Sequence, residues 1–156
     1  MANKEFMRRA IELAARNMRD YEGGPFGALI VRDGRVLAEG HNRVTSCNDP
    51  TAHAEVVAIR EACARLETFA LEGASIYTSC EPCPMCLAAI YWARIERIYF
   101  ANTRADAAAI GFDDDFLYRE IGLPLRERSI PAQRLLGDEA LAVFREWLEL
   151  PGRTLY

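Results

Sequence analysis

A chain of 156 residues, 51% hydrophobic and 27% charged, is long enough to bury one globular core. Lys4 is the only lysine and the net charge is −4, so no nucleic-acid partner is expected, because phosphate contacts need clustered Lys or Arg. No apolar run reaches the roughly 18 residues of a membrane span, and the amphipathic N-terminus lacks the apolar block of a secretory signal, which makes the cytoplasm the expected location.

The first half of the chain predicts a helix, a hairpin and a second helix. Apolar residues at helical spacing indicate a helix over residues 3–19. The β-rich runs 27–32 and 35–40 flank "DG", which is the strongest short signal for a hairpin. A turn at "NDPT" then leads into a helix that continues to about Leu66.

In the second half, strands alternate with helices. "ASIYTSC" and "RIYFAN" predict strands on either side of a helix at "PCPMCLAAIYWARI". "GFDDDFLYREIGLPLRERSIP" predicts a loop-rich segment with one helical turn, and "GDEALAVFREWLEL" predicts a last helix before the tail "PGRTLY". This alternation predicts an α/β layered fold with a partly parallel sheet, and residues 1–156 are expected to form one domain because no linker or repeat interrupts them.

Three cysteines crowd into "TSCEPCPMC" as two overlapping C-x-x-C spacings. Proline is well tolerated in the first turn of a helix, so the helix is expected to begin near Pro82. Cys83 and Cys86 then share one helical face, whereas Cys80 lies upstream. The start of a helix also favours thiolates, because its unpaired N–H groups stabilise negative charge.

His53, in "TAHAEVV", is the candidate for a third ligand. One histidine and two cysteines give zinc three protein ligands and leave a fourth position open, which is typical of catalytic rather than structural zinc. Glu55 lies two residues later and could carry protons for a water molecule that zinc activates. H-x-E followed by P-C-x-x-C is the signature of zinc deaminases of nucleobases.

Two alternative roles for the cysteines stay open at this point. The C-x-x-C pair could be a thioredoxin-like redox pair, which would leave His53 and Glu55 without a role. Cys80 or His41 could instead complete a four-ligand structural site. The protein would then be a zinc-stapled binding module without catalysis.

Five motifs, spread over nearly the whole chain, carry a family resemblance: "GGPFGA", "GHNRVTSCNDPTAHAEV", "YTSCEPCPMC", "AAIYWARI" and "GFDDDF". They resemble the cytidine-deaminase-like superfamily, and within it the bacterial guanine deaminases. The resemblance implies an α/β/α sandwich of three layers with a mixed five-stranded sheet and Zn²⁺ as cofactor. It also implies hydrolytic deamination of a purine base, guanine, to xanthine and ammonia, and other aminated planar heterocycles could be further substrates.

The resemblance also assigns roles residue by residue. The implied zinc ligands are His53, Cys83 and Cys86, and the implied catalytic acids are Glu55 and Asp114. The implied substrate contacts are the stacking ring of Phe26, the amide of Asn42, the backbone N–H of Ala54, the pocket wall Trp92 and the C-terminal Tyr156. Asp113 and Asp115 flank Asp114, so the choice among the three carboxylates stays open.

Related deaminases are the alternatives for the substrate. The tRNA adenosine deaminases share H-A-E and a similar P-C-x-x-C helix, but typically carry a basic C-terminal region. Residues 104–156 contain seven Arg against ten Asp or Glu, which suits a free base better than a phosphate-bearing substrate. Cytosine deaminases, with a smaller ring to enclose, are a third relative.

The tail after the last helix bears on assembly. In the guanine deaminases the C-terminal segment crosses to the partner subunit and covers its active site. The resemblance therefore implies a homodimer that exchanges the tail, about residues 150–156, and such an exchange is a low-cost route to dimers.

Overall fold

The computed structural model describes residues 2–156, and its first elements are a helix and a hairpin. Helix α1 (Lys4–Arg19) begins after Asn3, whose side chain accepts a hydrogen bond from the backbone N–H of Glu5. Strands β1 (Gly27–Arg32) and β2 (Arg35–His41) form the hairpin. Asp33 and Gly34 between them have φ of 52° and 71°, the paired positive values that match the twist of a two-residue hairpin. The predicted helix and hairpin are confirmed.

The middle of the chain alternates helices with strands. In order, the elements are α2 (Val44–Cys47), α3 (Ala54–Leu66), β3 (Ser75–Cys80), α4 (Pro84–Trp92) and β4 (Arg97–Asn102). Helix α4 stops three residues before the predicted end at Ile95, because Arg94 takes a left-handed φ of 57° that a helix cannot continue through. The short helix α2 was not predicted.

The strands form one mixed sheet in the order β2-β1-β3-β4. Strand β1 pairs antiparallel with β2 and β3, and β3 pairs parallel with β4. The α/β fold with a partly parallel sheet is confirmed, but the described residues form four strands where five were expected. After β4 the chain enters helix α5 (Arg104–Ala109), because Thr103 and Asp106 form a capping box ahead of an alanine-rich turn.

Both faces of the sheet are covered by helices. Ala28 and Ile30 of β1 belong to the core cluster that includes α3 and α4, whereas Leu29 and Val31 belong to the cluster that includes α1. This alternation follows the two-residue period of a strand and produces three layers, helix on sheet on helix.

Glycine allows α3 to approach the sheet closely. A Cβ atom on Gly40 of β2 would overlap the backbone oxygen of Ala54, the first residue of α3. Only a residue without a side chain fits between these two backbones. The start of α3 therefore packs directly on the backbone of β2.

The C-terminal part is more helical than predicted. Helix α6 (Asp114–Gly122), a 3₁₀ turn (Leu125–Glu127) and helix α7 (Gly137–Glu149) follow α5, so the expectation of a loop with one helical turn before the last helix is wrong. Two acidic residues open α6, where the positive end of the helix dipole favours them. None of the described helices is both long and apolar enough to cross a membrane.

By its contacts the chain divides into two compact units, the first ending at Tyr118 and the second covering Arg119–Tyr156. Within the second unit, the Glu120 carboxylate accepts hydrogen bonds from the N–H and hydroxyl of Ser129, at 2.8 and 2.7 Å. Helix α7 carries an apolar set that is at least 41% exposed in this chain: Leu141, Val143, Phe144 and Leu148.

Candidate metal centre and adjoining cavity

The candidate metal-ligating side chains come from two helix starts. His53 is the N-cap residue of α3 and Cys83 is the N-cap residue of α4, and neither side chain makes a capping hydrogen bond. Pro84 occupies the first position of α4, as the sequence predicts for the helix after "EPC". Cys86 follows Cys83 by three residues and shares its helical face.

The three donor atoms have the geometry of a zinc site. Nδ1 of His53 lies 3.6 Å from Sγ of Cys83 and 3.5 Å from Sγ of Cys86. All three donor atoms lie within 4.8 Å of one another. A tetrahedral zinc ion, with bonds of about 2.0 Å to nitrogen and about 2.3 Å to sulfur, requires N···S separations of about 3.6 Å. The donor set therefore fits Zn²⁺.

The other candidate ligands face elsewhere. The thiol of Cys80 donates to the carbonyl of Thr103 at 3.6 Å, and Nε2 of His41 lies 3.6 Å from a carboxylate oxygen of Glu22. In residues 2–156, His53, Cys83 and Cys86 form the one His/Cys/Asp/Glu group close enough to hold a metal. A four-ligand site through Cys80 or His41 does not form.

Negative charge concentrates on Cys83. A hydrogen bond from the Cys86 thiol lowers the pKa of Cys83 to about 4, helped by His53 and opposed by burial. The same bond and burial raise the pKa of Cys86, and the bond to Cys83 raises the pKa of His53. A thiolate at a helix start, beside two groups that a metal can deprotonate, is the electrostatic arrangement of a cation site.

Glu55 is a buried carboxyl group next to the metal group. Its Oε1 accepts a hydrogen bond from the Thr78 hydroxyl of β3 at 3.1 Å, and its Oε2 lies 3.4 Å from Sγ of Cys86. Burial is the main cause that raises its pKa. A fixed carboxyl group with raised proton affinity suits proton transfer at neutral pH.

A cavity of about 410 Å³ opens beside this group, within the size range of ligand pockets. Its lining contains Gly24, Phe26, Asn42, Val44, Thr45, Pro50, His53, Glu55, Cys80, Glu81, Cys83, Phe112 and Asp114. Seven predicted or considered positions thus meet in one place. Phe112 was not predicted, although it is one of the two aromatic residues of "GFDDDF"; its ring meets the Phe26 ring edge-on, with centroids 4.7 Å apart.

Asn42 is held by its own oxygen. The buried side chain accepts hydrogen bonds at Oδ1 from the backbone N–H groups of Gly24 and Val44, each at 3.2 Å. The family resemblance implies that the Asn42 amide contacts a base, and the fold already occupies the oxygen of this amide. The amide NH₂ is the group that Asn42 presents to the cavity.

Asp114 lines the cavity, and Ala54 lies between the lining residues His53 and Glu55. Ala54 is the buried first residue of α3, where backbone N–H groups have no intrahelical partner. Of the three consecutive aspartates, Asp114 lines the cavity, while Asp113 is exposed. Burial is the main cause that raises the pKa of Asp114.

Trp92 is not among the residues that line this cavity. Trp92 ends α4, about 12 Å along the helix axis from Pro84, and is 61% exposed in this chain. The length of the helix separates Trp92 from the end that carries Cys83, and its role as a pocket wall stays a prediction. Tyr156 is the exposed last residue of the second unit, and its role stays a prediction.

Comparison with known proteins agrees with the geometry. Residues 1–102 match the family of the cytidine and deoxycytidylate deaminase zinc-binding region. The guanine deaminase of Bacillus subtilis is 49% identical over 156 residues, which is 100% of both chains. An X-ray structure of guanine deaminase from that organism has a TM-score of 0.96, covering 100% of this chain and 99% of the other.

A second group of relatives matches a shorter part of the chain. The tRNA-specific adenosine deaminase of Agrobacterium fabrum is 47% identical over 105 residues, 67% of this chain and 68% of its own. The match to the guanine deaminase extends through the C-terminal unit as well. The chain therefore belongs to the zinc-binding cytidine and deoxycytidylate deaminase family, and within it is similar along its whole length to a bacterial guanine deaminase.

Proposed function

We propose that this protein hydrolyses guanine to xanthine and ammonia, with zinc bound by His53, Cys83 and Cys86. The observation that carries the proposal is the position of Glu55, whose Oε2 lies 3.4 Å from a sulfur of the metal group inside a cavity of about 410 Å³. The 49% identity to a guanine deaminase over the full length supports guanine as the base.

The chemistry divides between the metal and Glu55. Zinc, when bound, would lower the pKa of a water molecule and so make it a nucleophile at neutral pH. Glu55 takes one proton from the attacking water and delivers it to a ring nitrogen; it then takes the second proton from the hydroxyl group added to the ring and delivers it to the leaving amine. The water oxygen forms a bond to the ring carbon that bears the amino group, and the carbon–nitrogen bond breaks to release ammonia. The hydroxyl of Thr78 orients Glu55 by donating a hydrogen bond of 3.1 Å to its Oε1.

Three groups recognise the base in this proposal. Phe26 stacks on the purine face, and the NH₂ group of Asn42 donates to acceptor atoms on the base edge. The N–H of Ala54 donates to a second acceptor at the helix start. Asp114 reaches the cavity as a second carboxyl group able to exchange protons with the substrate.

The charge of the cavity favours a free base over the tRNA alternative. Among its lining residues, all within the part of the chain that is described, none is Lys or Arg, and three carry carboxylates: Glu55, Glu81 and Asp114. A phosphate group would be repelled there, whereas a neutral base would not. A zinc-stapled module without catalysis would use neither Glu55 nor the cavity.

We also propose the assembly that the family resemblance implies. Residues 1–156 act as one deaminase domain in the cytoplasm, and two copies form a dimer in which the tail, about residues 150–156, covers the partner's cavity. The exposed apolar side chains of α7 support a dimer in which a partner covers them, because a large exposed apolar surface marks an interaction site.

A panel of bases tests the substrate. Zinc-loaded protein is incubated with guanine, adenine, cytosine, their nucleosides, aminotriazines and a tRNA anticodon stem, and ammonia release is measured. We expect guanine to have the highest kcat/KM, with little dependence on salt, since no phosphate contact is involved. Faster release from tRNA with a steep salt dependence would favour the adenosine deaminase alternative, and no release from any compound would favour the binding module.

Removal of Glu55 tests its role separately from metal binding. Glu55→Ala should lower kcat about 10²- to 10⁴-fold, the range of general acid–base catalysis, while the zinc content stays at one per chain. The control is Glu61→Ala on the same helix, because Glu61 makes a solvent-exposed ion pair with Arg65. Near-normal turnover in Glu55→Ala would contradict the mechanism, and full zinc content in Cys83→Ala would contradict the ligand assignment.

A further inference from the structure

We infer that Tyr118 is a positioning residue: its hydroxyl ties helix α6 to the loop that precedes the metal ligand Cys83 and thereby sets Asp114 in the cavity. This inference rests on the proposed function, in which Asp114 works on the substrate. Tyr118 belongs to none of the sequence motifs and does not line the cavity.

The hydrogen bond joins two segments that are distant along the chain. The Tyr118 hydroxyl donates to the backbone oxygen of Pro82 at 2.7 Å, in a partly buried position, across 36 residues. Pro82 directly precedes Cys83, the N-cap residue of α4. A displacement of α6 relative to this loop must therefore break or stretch a short hydrogen bond.

Tyr118 and Asp114 share one face of α6. They are four residues apart, so their side chains are neighbours on the helix surface. Asp114 lines the cavity, whereas the Tyr118 hydroxyl ends at the loop beside it. The position of the tyrosine hydroxyl therefore controls how far the carboxyl group of Asp114 reaches towards the metal group.

The ring of Tyr118 is oriented by a second contact. The guanidinium carbon of Arg104 lies 4.7 Å from the ring centroid, and the backbone N–H of Arg104 donates to the carboxylate of Glu81 at 3.0 Å. Glu81 lies next to Pro82 and also lines the cavity. The start of α5, the loop before α4 and helix α6 thus meet at Tyr118, and removal of the hydroxyl alone would leave the cation–π contact intact.

Tyr118→Phe tests the inference, because it deletes one oxygen atom and preserves the ring. We expect kcat for guanine to fall about tenfold, since a small misplacement of a catalytic group is expensive in rate, with KM changed by less than about twofold. Zinc content and the midpoint of thermal unfolding should stay near wild type. Tyr21→Phe is the matched control, because Tyr21 is 92% exposed and should leave kcat unchanged.

A double-mutant cycle shows whether Tyr118 acts through Asp114. Asp114→Asn should itself lower kcat, and Tyr118→Phe should have less than about a twofold further effect in that background. An equal tenfold loss in both backgrounds, a loss of zinc from Tyr118→Phe, or wild-type kcat in either single variant would overturn the inference. A wild-type protein that releases no ammonia from guanine would overturn the proposed function itself, which is a distinguishable result.

Discussion

Asn17 is a buried amide that holds the backbone of Asn42, a proposed contact to the base. Its Nδ2 donates to the backbone oxygens of Gly24 and Asn42, at 2.8 and 3.0 Å. Its Oδ1 is buried and has no partner within the described chain, a feature that destabilises a fold. The two donated hydrogen bonds compensate for this cost, because they join the loop at Gly24 to Asn42 at the cavity.

Asn17→Asp is the substitution that tests this role at nearly constant volume. A carboxylate would face two carbonyl oxygens that need a donor, so we expect KM for guanine to rise about tenfold and the free energy of unfolding to fall by about 1–3 kcal/mol. Steady-state kinetics and urea unfolding measure the two effects. Asn3→Asp at the start of the same helix is the control, because aspartate caps a helix start about as well as asparagine; an unchanged KM in Asn17→Asp would contradict the role.

At the scale of the element, local sequence patterns predict the His53, Cys83 and Cys86 group better than they predict the cavity wall. His53, Cys83 and Cys86 were predictable because helix starts and the i, i+3 spacing are local properties of the chain. Phe112 was missed because its contact with Phe26 depends on tertiary structure that no local pattern encodes. The length of α6 was missed for a different reason: its consecutive acidic residues are typical of a loop, although acids at a helix start are stabilising.

The close contact between β2 and α3 leads to a prediction about both stability and the metal group. Gly40→Ala would place a Cβ against the backbone oxygen of Ala54 and displace the start of α3. We expect a loss of about 1–3 kcal/mol in the free energy of unfolding, as for other overpacked sites, together with weaker zinc binding because His53 moves. Urea unfolding and competition with a chelator measure these effects.

Gly122→Ala is the control for this substitution, since a Cβ atom at that position would have no neighbouring atom within 4 Å. It should leave both the unfolding free energy and zinc affinity near wild type. Wild-type stability in Gly40→Ala would show that the backbone of α3 can relax away from the sheet without consequence.

At the scale of the whole molecule, the two compact units differ in how much of their role the sequence predicts. The first unit contains the metal group and every residue of the cavity lining, and the family match to residues 1–102 falls within it. The second unit has an apolar helix face that is exposed in the single chain. The apolar periodicity of the sequence predicts helix α7. It does not predict what the apolar face of α7 contacts, because that depends on a partner chain.

The proposed exchange of tails can be tested by combining two inactive chains. One chain carries Glu55→Ala with an intact tail, and the other carries Glu55 but ends at residue 149; each alone should be nearly inactive. If the tail covers the partner's cavity, the heterodimer has one site with both Glu55 and a tail. Co-expression should then restore about half of the activity per heterodimer, because one of the two sites is complete. If the tail covers its own cavity, no site in the mixed dimer is complete, and ammonia release from guanine would stay at the level of the separate variants.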